Sequence, residues 1–161
     1  MIYTIGHSNI TSKSFINILN QFKIKIVVDI RSSPYSKYIT YFNRENIKKT
    51  LREKGIRYIF LGDYVGGKPK ALKYYEDGKV NYDLIRESAR YKDGIDRIIE
   101  LNKNNNIVLM CSEEDPFSCH RHNLITQTLL KQGLDVIHVR KEGKIDKITE
   151  IDKKDVQTTL F

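Results

Sequence analysis

The chain has 161 residues, 40% of them hydrophobic and 30% charged, which is the composition of one folded domain around a single core. No apolar run approaches the ~18 residues of a membrane span, and Met1-Ile2-Tyr3-Thr4-Ile5 lacks the basic and apolar regions of an export signal. A cytoplasmic protein with no membrane partner is therefore expected. Its 28 Lys and Arg against 20 Asp and Glu leave a formal charge of +8, which favours anionic substrates or polyanion partners, and its two cysteines exclude a disulfide framework.

In chain order, residues 2–5 read as a short buried strand, followed by the polar turn Gly6-His7-Ser8-Asn9. Thr11 or Ser12 can cap a helix in which Phe15, Ile18, Leu19 and Phe22 recur at helical spacing. The β-branched run at 24–30 predicts a strand that empties into Arg31-Ser32-Ser33-Pro34. A helix is predicted from Asn43 to Lys54, stopped by Gly55, then a strand at 57–61 and an irregular stretch at 62–78. The pattern at 82–103 predicts one long helix with a possible break near Lys92-Asp93-Gly94. A strand at 107–110, a polar loop at 111–118, a helix at 119–132 and a strand at 134–139 follow. Gly143, between Val139 and Ile148, suggests a hairpin.

This alternation implies an α/β fold: a single domain over residues 1–150, with a mostly parallel or mixed sheet of five or six strands and helices on both faces. Residues 151–161 are expected as an exposed tail. In such sheets the loops at the carboxyl ends of the strands form the binding crevice. Here those loops carry His7 and Ser8, then Asp29, Arg31 and Ser33, then Cys111, Glu113, Cys119, His120 and Arg121.

The same loops carry a family resemblance. Thr4-Ile5-Gly6-His7-Ser8, Val28-Asp29-Ile30-Arg31-Ser32-Ser33-Pro34, Leu61-Gly62-Asp63-Tyr64-Val65-Gly66-Gly67, and Met110-Cys111-Ser112-Glu113 through Cys119-His120-Arg121 resemble, in order, the motif blocks of the domain of unknown function 488 family. Ser112 stands where that family usually has Ala, a neutral exchange. The resemblance spans nearly the whole chain and supplies residues without a reaction.

The chemistry must come from the side chains. At a helix start, Cys119 would meet free N–H groups and a favourable dipole that lower a thiol pKa. Arg31 and Arg121 are expected to hold an anion, with His7, Ser8, Ser33 and Cys111 beside it. Asp29 and Glu113 are the expected acid/base pair, with Cys119 or His120 assisting. Cys111 follows a strand as a rhodanese or phosphatase nucleophile does, but Glu113, Glu114 and Asp115 would repel phosphate or persulfide. No metal is expected: the Cys and His spacing matches no common zinc pattern, and adjacent Cys119 and His120 are ill placed to share an ion. No cofactor is specified.

Tyr35, Tyr38, Tyr41, Tyr64, Tyr74 and Tyr75 alternate with Lys37, Lys68, Lys70 and Lys73 around the expected crevice, a pattern suited to stacking bases and contacting phosphates. The terminal Gln157-Thr158-Thr159-Leu160-Phe161 resembles peptides that dock on sliding clamps, with Gln157, Leu160 and Phe161 as the contacts. The leading expectation is a protein acting on a nucleotide or nucleic acid in DNA maintenance. A binding module without turnover and a rhodanese-like thiol enzyme are the alternatives.

Overall fold

The computed structural model describes residues 1–148; Gln157, Leu160 and Phe161 lie outside the described residues. The main sheet contains β1 (Ile2–Gly6), β2 (Ile26–Asp29), β3 (Arg57–Phe60), β6 (Ile107–Cys111), β7 (Val136–Val139) and β8 (Ile145–Ile148) in the order β3-β2-β6-β1-β7-β8. All its pairings are parallel except β7 with β8, the expected hairpin. A separate two-stranded ribbon, β4 (Tyr75–Glu76) and β5 (Lys79–Val80), begins in the stretch expected to be irregular and ends just after it.

Side-chain alternation divides the core into two layers. On one face Ile5, Val27, Val108 and Met110 pack against α1 (Ser12–Gln21) and α2 (Arg44–Glu53) through Phe15, Leu19, Ile47 and Leu51. On the other, Ile2, Val28, Ile107, Leu109 and Cys111 pack under the remaining helices. These are α3 (Gly62–Val65), α4 (Tyr82–Glu87), α5 (Ala89–Asn102) and α6 (Gln127–Lys131). Strands buried on both faces read as continuous apolar runs, which is why β2 and β6 stand out in the sequence.

Two expected helices differ from those observed. The segment at 82–103 breaks at Ser88, whose extended backbone and side-chain cap on the Tyr91 N–H start α5, so Gly94 lies inside the helix. A serine that caps in place of continuing the helix is the physical reason. The segment at 119–132 is composite: a 3-10 turn at Pro116–Ser118, Cys119 in extended conformation, a π-helix at Arg121–Thr126, and then α6. Cys119 therefore precedes the helix, and the N–H groups of His122 and Asn123 bond to its carbonyl.

Candidate functional site

The strand ends do bring the expected residues to one edge of the sheet, but they divide them between its two faces. On the α1/α2 side, the Asp29 carboxylate accepts from Arg31 Nε at 2.9 Å, Arg31 Nη2 at 2.8 Å, the Arg31 backbone N–H at 3.1 Å and the Tyr58 hydroxyl at 2.6 Å. Arg31 also donates to the Phe42 carbonyl at 2.8 Å and to His7 Nε2 at 3.1 Å. His7 stacks on Phe42 with centroids 4.3 Å apart, and its Nδ1–H donates to the Ser8 carbonyl. Burial, opposed by the bond to Ser8 and aided by the Arg31 charge, lowers the His7 pKa to about 4, so the ring is neutral. The expected acid/base Asp29 and anion-holder Arg31 are thus a buried ion pair with their polar atoms engaged inside the fold. Ser33 is exposed on the loop, and it is Ser32 that bonds across to the Lys68 N–H.

On the opposite face lies the sulfur cluster. Cys111, the last residue of β6, has its Sγ 3.0 Å from Cys119 Sγ. His120 Nδ1 is 3.9 Å from Cys111 Sγ and 3.6 Å from Cys119 Sγ. The His120 Nε2–H donates to the Ile30 carbonyl at 3.0 Å, which leaves Nδ1 as the lone-pair nitrogen facing both sulfurs. Gly67 supports this ring: a Cβ there would sit 2.7 Å from His120 Cβ and Cγ. Both cysteines are free and only 4% exposed.

The acidity order of the two thiols reverses the expectation for Cys119. The bond from Cys119 first, and then the Glu113 N–H, favour the Cys111 thiolate over the opposing cost of burial. Cys119 is pushed up because it holds the shared proton toward Cys111 and because it is buried. Adjacent Cys119 and His120 do face one point, contrary to the expectation from their spacing, because Cys119 is extended and His120 is already helical.

Arg121 does not face a ligand space. It is 0% exposed, and its guanidinium donates to the main-chain carbonyls of Glu113 and Glu114 and to Thr4 Oγ1. Thr4 Oγ1, which accepts from Arg121, lies 2.7 Å from His138 Nδ1, and His138 Nε2 lies 3.0 Å from His122 Nδ1, so a buried hydrogen-bonded chain runs from Arg121 through Thr4 to the two histidines. Burial, then the neighbouring His122, Arg121 and Arg140 charges, lower the His138 pKa to about 3.

The acidic loop is mostly engaged as well. Glu114 pairs with Arg140, which also holds Asp146, and Asp115 caps Phe117. Glu113 and Asp115 are both exposed, and Glu113 makes no side-chain bond to another described residue. Tyr82 is a site residue that the sequence did not mark. It packs against the core cluster that holds both cysteines, and burial and then the charges of Cys119 and Cys111 raise its pKa.

Residues 11–128 match the family described as Domain of unknown function DUF488. The chain belongs to that family. The DUF488 match holds three of the four motif blocks, and Thr4–Ser8 precedes it. No curated protein and no solved structure matches the chain. Among the described residues of this DUF488 protein, no helix is long and apolar enough to cross a membrane.

Proposed function

We propose that this protein is a two-cysteine thiol enzyme that reduces small oxidants, hydroperoxides being the substrate class. The 3.0 Å approach of Cys111 Sγ and Cys119 Sγ, beside a histidine nitrogen free to accept, supports this reading above all. Burial of both sulfurs selects for a substrate little larger than water.

The Cys111 thiolate attacks the terminal peroxide oxygen; an S–O bond forms, the O–O bond breaks, and the departing alkoxide or hydroxide takes a proton from solvent. Cys119 then attacks Cys111 Sγ, forming the S–S bond and expelling hydroxide, which leaves as water with the Cys119 proton relayed through His120 Nδ1. Two electrons pass from the sulfurs to the peroxide. Two equivalents of a low-molecular-weight thiol restore the pair. Arg121 and the Glu114–Arg140 pair hold the loop that carries Cys119. Peroxide consumption coupled to such a thiol tests the reading: it should be lost in Cys111→Ser and Cys119→Ser, and turnover unchanged in both would refute it.

A second reading, nucleic-acid binding, is favoured by one surface. Tyr38 is 90% and Tyr35 54% exposed, with exposed Lys37 between them and Lys68 and Lys70 exposed on the Gly66-Gly67 loop. Stacked bases contribute about 1–3 kcal/mol each on such aromatics. Tyr41 and Tyr75 instead bond to main-chain carbonyls of the fold. Salt-dependent binding of a single-stranded oligonucleotide, weakened by Tyr38→Ala, would support this reading; binding indifferent to salt and to Tyr38 would remove it.

A further inference from the structure

We propose that Cys111, Cys119 and His120 form a binding site for Zn(II), with the fourth position left to a solvent or substrate atom. Tetrahedral zinc with Zn–S of about 2.3 Å and Zn–N of about 2.0 Å requires ligand-to-ligand edges of roughly 3.8 Å for S···S and 3.6 Å for S···N. The two S···N separations, 3.6 and 3.9 Å, already match. The S···S separation of 3.0 Å must widen, which small rotations of two side chains supply.

Two features beyond proximity prepare the ligands. The Ile30 carbonyl holds the proton of His120 on Nε2, the outer contact that fixes a ligating imidazole and leaves Nδ1 for the metal. Gly67 keeps the ring against the sulfurs. Soft thiolates with one imidazole select zinc over the hard cations, which seek oxygen. Cys111, Cys119 and His120 are also the one His, Cys and carboxylate cluster among the described residues whose ligand atoms all lie within 4.8 Å of one another. The spacing Cys-x7-Cys-His conceals the site in sequence, because the loop at 112–118 folds back to bring its ends together.

The metal site stands on this geometry alone. Its regulatory consequence rests on the thiol reading: bound zinc withdraws both thiolates from oxidants, and disulfide formation ejects the metal.

Cobalt(II) titration of the reduced, metal-free full chain tests the site. One equivalent should produce a thiolate-to-cobalt charge-transfer band, displaced by Zn(II) and lost in Cys111→Ser and Cys119→Ser. His120→Ala should weaken binding more than about 100-fold, beyond the 10–100-fold loss that follows removal of an outer contact. Saturating zinc should also protect both thiols of the unaltered chain from alkylation, a readout that needs no variant to fold. Absence of the band, or unprotected thiols, would overturn the proposal. Peroxide reactivity of the metal-free chain is measured separately, so failure of the thiol reading leaves these results distinct.

Discussion

The guanidinium of Arg121, fully buried, is held by the main-chain carbonyl of Glu113, an exposed acid of the site loop. A side chain whose sequence context suggests an anion receptor is thereby a fastener between the π-helix and the loop after β6. Arg121→Ala removes the charge and its bonds to two part-buried carbonyls and to Thr4, bonds to a charged group contributing about 1.5–3 kcal/mol each. A loss of about 3 kcal/mol is expected in urea unfolding, with slower disulfide closure. Unaltered stability would show that the loop does not depend on this contact.

Asp29 and Arg31 yield a second expectation. Removing one partner of a buried ion pair costs about 3–5 kcal/mol, so Asp29→Asn should destabilise by that order. Tyr58→Phe removes one bond to the same carboxylate and should cost about 1.5–3 kcal/mol. If Asp29 instead acts as a base, Asp29→Asn would abolish turnover while leaving the unfolding curve in place.

How much of this was legible in the sequence differs between fold and site. β6 was readable because Ile107, Val108, Leu109 and Met110 are buried on both faces and leave no polar interruption. The strand ends then marked His7, Asp29, Arg31 and Cys111 correctly as edge residues. Their facing was not legible beyond that edge, since a residue's side of the sheet depends on where each strand stops. Ending β2 at Asp29 sends Asp29 and Arg31 to the Phe42 side, while the Ile30 carbonyl meets His120. The pairing of Cys119 with Cys111 was hidden for another reason: it requires the 3-10 turn and π-helix at 116–126, irregular elements with weak sequence periodicity.

Acid should weaken the fold through His138. Its folded pKa, about 3, lies below the ordinary 6.5, so the unfolded state binds the extra proton between those values. The contribution is complete above about pH 6.5 and is lost as pH falls toward 3. From neutral pH to about pH 5, this one group should remove about 2 kcal/mol. Urea unfolding of the native chain and of His138→Gln checks it: the variant should show the shallower pH slope, and equal slopes would contradict the assignment.

Gly67→Ala places a methyl group against the root of the His120 ring. Overpacking of this kind costs about 1–3 kcal/mol. The thermal midpoint should fall, and cobalt binding should weaken as the ring turns away from the sulfurs. A variant with native stability and native metal affinity would show that Gly67 does not set the position of His120.

The most direct measurement is the fate of the two sulfurs when the reduced, metal-free chain meets one equivalent of hydrogen peroxide. Alkylation and peptide mapping should then find a Cys111–Cys119 disulfide, reversible by added thiol, with Cys119→Ser arrested at a sulfenic acid on Cys111. Two thiols that remain fully alkylatable after peroxide, or that oxidise independently without joining, would contradict the assignment of this pair as the reactive centre.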